Sequence, residues 1–168
     1  MKSNEVNLEF LFANAFGPPI GITTIPQLVI KNLNDFVDNE IDHNLELAKK
    51  LDHGDELVGQ VKQEIKIPRE ILEPNLFAFL LNITRHFIKM GTKQDISKFE
   101  IISAWVVRQF QNEYNPIHIH SGHISGAGYI MLPETFGDSF QKSKKGNVNG
   151  NINFNYGVRQ FMNNGHKS

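Results

Sequence analysis

The order in which two hydrophobic periodicities follow one another is the feature that most restricts the fold of this chain. Up to Met90, apolar residues recur mainly at the three- and four-residue spacing of amphipathic helices. From Phe99 onward, β-branched and aromatic residues form short segments separated by Gly, Asn and Pro, which is typical of strands and turns. Helices followed by a run of strands predict an α+β domain, in which helices back one side of an antiparallel sheet or barrel.

The first part of the chain, roughly residues 24–92, is predicted to form the helical support. Pro26 is tolerated in the first turn of a helix, and Gly91 lies just past the last apolar position of another. Residues 58–67 mix polar and β-branched side chains and support no assignment. The predicted elements are a strand over Val6 to Phe12, a break over Phe16 to Gly21, and helices over Gln27 to Ile41, Leu45 to Leu51 and Glu70 to Met90.

The second part, roughly residues 97–162, is predicted to form the β-core, and the whole chain 1–168 a single domain. Residues 134–150 are polar and rich in Lys, Ser and Gly, which indicates a loop. The predicted strands are Phe99 to Phe110, a strand entered at Ile117 to His120 after the turn Gln111 to Pro116, Tyr129 to Leu132, and Ile152 to Tyr156 with a continuation over Val158 to Phe161.

Composition excludes several classes of protein. The 168 residues carry a formal net charge of −1, so no basic field favours nucleic acid. The absence of cysteine excludes disulfides, iron–sulfur ligation and a Cys nucleophile. We find no signal peptide and no apolar run of membrane length, and we therefore expect a cytoplasmic protein that does not bind membranes.

The segment from Asn115 to Pro133 carries the strongest chemical signal, because three of the seven histidines lie within six residues. His118 and His120 are two residues apart, and in an extended strand such residues point to the same face. Two neutral imidazoles presented together can bind Zn, Fe, Cu or Ni. The alternative is a polar turn at a strand end, without a metal. The apolar strand before the pair and the Gly/Ser turn after it favour the metal site.

The chain resembles the family of 2-oxoglutarate- and Fe(II)-dependent oxygenases found in marine bacteria and their phages. The resemblance runs in patches over nearly the whole chain, including Phe16-Gly17-Pro18-Pro19-Ile20 near the start, and is sharpest from Trp105 to Pro133. The residues that carry it there are Trp105, the turn Asn112 to Pro116, His118-x-His120, Ser125-Gly126 and Gly128-Tyr129, followed by Pro133.

The resemblance implies a double-stranded β-helix, or jelly roll, flanked by N-terminal helices. It implies Fe(II) as cofactor, with His118 as the first metal ligand and His120 at the position where the wider superfamily has an acidic ligand. It also implies 2-oxoglutarate and O₂ as co-substrates, with Tyr129 where related enzymes often contact the 2-oxoglutarate tail. For Tyr129, a core tyrosine with a satisfied hydroxyl is an equally good interpretation.

Two departures from the family pattern stand out. His120 replaces a carboxylate, so the metal would be held by a three-His face, or His120 would support a ligand set that includes His123. The distal His and the 2-oxoglutarate-binding Arg of the family are not found before Ser168, and neither Arg159 nor His166 suits these roles. The simplest expectation is therefore a sequence incomplete at its C-terminal end, with a jelly roll that lacks its late strands.

Two other functions stay open from the sequence. A cupin-like metal-binding domain also uses His-x-His, but such domains usually have a Glu a few residues later, whereas Glu134 is far downstream. A catalytically inactive structural or assembly protein would carry the histidines as a polar turn. The oxygenase substrate is likewise open between a protein side chain and a small metabolite, with a nucleic-acid base disfavoured by the charge.

Overall fold

The computed structural model describes residues 9–14, 17–54, 58–138 and 147–155. Within these residues the chain is a mixed α+β structure with helices and two small antiparallel sheets. The helices all lie between Gln27 and Thr92, inside the segment predicted to be helical. None of the helices in the described ranges is long and apolar enough to span a bilayer.

A short hairpin precedes the helices. Strand β1 (Phe10–Ala13) pairs antiparallel with β2 (Ile20–Thr23), from Phe10 opposite Thr23 to Ala13 opposite Ile20. The predicted first strand is confirmed over Phe10 to Phe12, and residues 6–8 lie outside the described residues. The break that was predicted to extend to Gly21 ends at Pro19, because β2 begins at Ile20. The hairpin rests on a later helix, where the Phe12 and Phe87 rings have centroids 5.5 Å apart.

The first helix confirms the periodicity of its sequence. Helix α1 (Gln27–Asp35) continues without a break into a π-helix (Phe36–Ile41). Its first turn is closed by Pro26, whose carbonyl accepts hydrogen bonds from the amides of Val29 and Ile30 at 2.9 and 3.1 Å. The side chains at helical spacing are buried and form one face of the core: Val29, Leu33, Phe36, Val37 and Ile41.

The other helices follow the predicted positions with shifted ends. Helix α2 (Leu45–Leu51) has the predicted bounds and is capped by Asn44, whose side-chain oxygen accepts a hydrogen bond from the Leu47 amide at 3.0 Å. The predicted helix Glu70 to Met90 is found as α3 (Arg69–Ile71), a second π-helix (Leu72–Leu76) and α4 (Phe77–Thr92). The expectation that Gly91 follows the helix end is wrong. The helix ends at Thr92, and Lys93 takes the left-handed conformation with φ 63°.

The second sheet carries the core on one face and the candidate site on the other. Strand β3 (Gln63–Lys66) pairs antiparallel with β4 (Trp105–Arg108), with Ile65 opposite Val106 and Lys66 opposite Trp105. Ile65 and Val106 are 2% and 8% exposed and pack into the helical core. Because side chains alternate, Glu64 and Trp105 lie together on the opposite face.

The strands predicted after Trp105 are mostly not formed. The strand predicted over Phe99 to Phe110 is confirmed only for β4, and the described residues show no strand over 117–120, 129–132 or 152–155. Residues 156 and 158–161, where the last strand was also predicted, lie outside the described residues. An alternating pattern needs a hydrogen-bonding neighbour to become a strand, and here its apolar side chains are exposed: Ile117, Ile119, Met131 and Phe154. The described residues show no closed barrel.

Candidate functional site

His118 and His120 lie side by side, although the segment that carries them is irregular rather than a strand. Their ring centroids are 4.6 Å apart and the ring planes are 73° apart. The two Nε2 atoms are 3.0 Å from each other. The prediction that both imidazoles project to one side therefore agrees with the geometry, even though the predicted strand is absent.

A backbone carbonyl fixes which ring nitrogen of His118 carries the proton. Its Nδ1 lies 2.7 Å from the carbonyl oxygen of Pro116, which can only accept a hydrogen bond. Nδ1 must therefore carry the proton, and in the neutral ring the free lone pair belongs to Nε2. A His that donates one ring N–H to a backbone carbonyl is held in the tautomer and orientation that metal ligation requires.

His120 is held by an aromatic neighbour. Its ring lies 5.6 Å from the Trp105 ring, centroid to centroid, with the planes 32° apart. Desolvation, followed by the nearby His118, lowers the pKa of His120 below its ordinary value. The lowered pKa favours the neutral imidazole at physiological pH, which is the form that binds a metal.

The two nitrogens have a spacing that suits one metal ion. Two ligand nitrogens at right angles, each about 2.1 Å from a metal ion, are about 3.0 Å apart. The observed Nε2–Nε2 distance of 3.0 Å matches this value. The described residues include no group of three or more His, Cys, Asp or Glu side chains arranged to hold a metal ion. The same distance is that of a hydrogen bond between the two rings, so the geometry by itself shows two interacting imidazoles.

A buried polar layer adjoins the histidine pair, and sequence reasoning did not identify it. Glu64 and His53 are 3% and 7% exposed. The His53 amide donates to the Glu64 carbonyl at 2.7 Å, and the His53 and Trp105 ring centroids are 5.9 Å apart. No sequence signal pointed to it, because residues 63–66 mix polar and apolar side chains without a clear pattern.

The carboxyl group of Glu64 is electrostatically coupled to this layer. Desolvation is the largest influence and raises the pKa of Glu64. The imidazoles of His53 and His118 lower this pKa, and Asp52 raises it. A buried carboxyl among imidazoles is a frequent feature of functional sites.

Tyr129 has its hydroxyl engaged by the backbone. The hydroxyl donates to the carbonyl oxygen of Gly150, and the residue is 44% exposed, so it is not a core tyrosine. Its neighbour Ile130 is tied to helix α1, because the Asn34 side-chain amide donates to the Ile130 carbonyl at 3.0 Å. A contact of Tyr129 with 2-oxoglutarate stays a prediction.

The remaining candidate residues either do not join the histidine pair or lie outside the described residues. His123 is exposed and does not complete a set of three ligands among the described residues. His86 is exposed on α4 and packs edge-on against Phe10, with centroids 4.8 Å apart. Arg159 and His166 lie outside the described residues.

Comparison with known proteins finds no relative. No model of a protein family matches the chain, and no curated protein or solved structure is significantly similar to it. Its function must therefore be inferred from its own residues and their geometry.

Proposed function

We propose that this chain is a 2-oxoglutarate- and Fe(II)-dependent oxygenase with the jelly-roll core of that class. The observation that carries the proposal is the pair of imidazoles whose Nε2 atoms are 3.0 Å apart, one of them oriented by a backbone carbonyl. The resemblance of residues 105–133 to the oxygenase family supports the same assignment. The observed α+β arrangement, with helices on one face of a sheet and the histidines toward the other, is compatible with this architecture.

In this proposal, each residue of the site has a separate task. His118 and His120 bind Fe(II) through Nε2, the Pro116 carbonyl orients His118, and the Trp105 ring packs against His120. Tyr129 contacts the tail of 2-oxoglutarate. Bound Fe(II) supplies the chemistry of the class, in which O₂ oxidises a substrate C–H bond while 2-oxoglutarate is converted to succinate and CO₂.

The test uses Trp105 as an internal reporter. It is the only tryptophan of the chain, and its ring contacts that of His120, so a paramagnetic ion at the pair should quench its fluorescence. We expect anaerobic Fe(II) to quench the wild type saturably. His118→Ala should weaken the binding by at least about tenfold, because one of the two ligands is lost. His86→Ala, which removes an exposed imidazole from helix α4, is the matched control and should bind as the wild type does.

Consumption of 2-oxoglutarate separates the oxygenase from the other functions. We expect Fe(II)-dependent formation of succinate by the wild type and not by His118→Ala. Saturable Fe(II) binding without succinate formation would favour the cupin-like domain. Equal and weak quenching of the wild type and of His118→Ala would refute the metal site and leave the structural protein.

A further inference from the structure

Two asparagine side chains tie together two exposed stretches of the chain. The Asn147 side-chain amide donates to the Gly137 carbonyl at 2.6 Å. The Asn149 side-chain amide donates to the carbonyls of Phe136 and Asp138 at 3.0 and 3.1 Å. These three hydrogen bonds, which we call the asparagine clasp, join stretches that are about ten residues apart in the sequence.

Gly150, directly after Asn149, is fixed in place beside the clasp. It has a positive φ of 73°, and a Cβ atom at this position would overlap the Phe136 ring, so the position requires glycine. Its carbonyl accepts a hydrogen bond from the Tyr129 hydroxyl. The clasp therefore holds the glycine to which Tyr129 is hydrogen-bonded.

Asn149 and Gly150 also form a chemically reactive pair. An asparagine side chain can be attacked by the backbone nitrogen of the next residue, and glycine allows the closest approach because it has no Cβ. Gly150 is exposed, and its amide donates to no backbone carbonyl among the residues that the structure describes. Water can therefore reach the attacking nitrogen and remove its proton.

We propose that Asn149 is a site of spontaneous deamidation whose rate is set by the asparagine clasp. The Gly150 nitrogen, after losing its proton to hydroxide, bonds to Cγ of Asn149, and the Cγ–Nδ2 bond breaks. Nδ2 takes up a proton and leaves as ammonia, and water then opens the cyclic imide to give aspartate or isoaspartate. One water is consumed and one ammonia released, without oxidation or reduction. Neither step involves Fe(II) or the histidine pair.

The clasp opposes this reaction because it holds the leaving group. Nδ2 of Asn149 is the atom that departs as ammonia, and it is the donor in both hydrogen bonds to the carbonyls of Phe136 and Asp138. Both bonds must break before the nitrogen can leave. Two ordinary hydrogen bonds lower the reactive population by about tenfold or more.

The product cannot close the clasp again. Deamidation replaces the donating amide of Asn149 by a carboxylate, which can only accept hydrogen bonds. The carbonyl oxygens of Phe136 and Asp138 also only accept, so the new carboxylate would repel both of them. The modification is therefore one-way, and it releases Gly150, the acceptor of the Tyr129 hydroxyl.

The experiment follows Asn149 by peptide mapping with mass spectrometry at pH 8, in the folded wild type and in the wild type unfolded in guanidinium chloride. We expect the folded protein to deamidate at least about tenfold more slowly. Asn147→Ala loosens the clasp but keeps the reactive pair, and it should react about three- to tenfold faster than the folded wild type, with no change when unfolded. Asn39→Ala, at an exposed asparagine in the first π-helix, is the matched control and should react as the wild type does.

Three results would overturn the proposal. Equal rates in the folded and unfolded wild type would show that the clasp does not set the rate, and this comparison needs no variant to fold. A folded Asn147→Ala that reacts no faster than the wild type would show the same. An Asn149 that stays intact in the unfolded chain would remove the modification site itself.

Asn149→Asp, which carries the aspartate product, tests whether the product opens the clasp. Three lysines lie between the two halves of the clasp in the sequence and are cleavage sites for trypsin: Lys142, Lys144 and Lys145. Cleavage follows the population of open chain, so Asn149→Asp should be cut there at least about threefold faster than Asn39→Asp, which has the same change of charge. Equal rates would show that the clasp survives deamidation and would overturn the one-way release.

Discussion

Substitution of Gly59 by alanine should damage the site without touching a histidine. The added Cβ would lie 2.5 Å from Glu64 Oε1, 2.5 Å from Asn115 Oδ1 and 3.0 Å from Val61 Cγ2. Real Cβ atoms essentially never lie closer than 3.0 Å to such a neighbour, so both oxygens must move by about 0.5 Å or more. Glu64 is buried and cannot move into solvent. We therefore expect the free energy of unfolding to fall by about 1–3 kcal/mol, as for other overpacked sites.

The matched control is Gly126→Ala. No atom lies within 4 Å of the Cβ that this substitution would add, and the residue lies in the same histidine-bearing segment. Its free energy of unfolding should stay within about 0.5 kcal/mol of the wild type. Both variants are measured by urea unfolding with Trp105 fluorescence, and Fe(II) affinity is measured in parallel. Equal stability and equal affinity of the two variants would refute the close packing of Gly59 against Glu64 and Asn115.

Three further substitutions test the core, a helix end and the buried carboxyl. Ile41→Ala removes a side chain that is 1% exposed and should lower the free energy of unfolding by about 2–5 kcal/mol in urea unfolding. Leu28→Ala, at a residue that is 54% exposed, should lower it by less than about 0.5 kcal/mol. Similar losses in the two variants would contradict the observed burial. Lys93→Gly places a glycine at a left-handed backbone position and should stabilise the protein by about 1 kcal/mol. Lys89→Gly, inside α4, should destabilise it by about the same amount. A loss of stability in both variants would show that φ at residue 93 is not strained. The raised pKa of Glu64 means that the folded state keeps its proton to higher pH than the unfolded state, so wild-type stability falls as pH rises above 4.5. Glu64→Gln should therefore gain stability relative to the wild type between pH 4 and pH 8 in urea unfolding, and a pH-independent difference would contradict the shift.

Local sequence determined the helices, because a helix forms its hydrogen bonds within itself. Most apolar positions of residues 27–41 are buried, with Leu28 at 54% exposed the exception. Asn44 caps α2 directly before its first residue, Leu45. The end of α4 was misjudged by two residues, since Gly91 and Lys93 both suit a helix end and the local signal does not choose between them.

Strands were predicted less well, because a strand depends on a partner that the pattern does not name. Residues 129–132 have the composition of a strand, but among the described residues they have no paired neighbour. Conversely, β3 lies in a segment with no clear pattern, and it exists because residues about forty positions later pair with it. Pairing over such a separation is decided by the whole fold.

For the candidate site, too, the sequence determined some features and the tertiary structure decided the others. The sequence by itself determined that two imidazoles two residues apart are available for a metal and that no cysteine competes with them. Only the tertiary structure decided that Nε2 of each ring faces the other, that Trp105 flanks His120, and that Glu64 is buried. The physical reason is that ligand identity belongs to single residues, whereas orientation, desolvation and charge depend on neighbours that are distant in the chain.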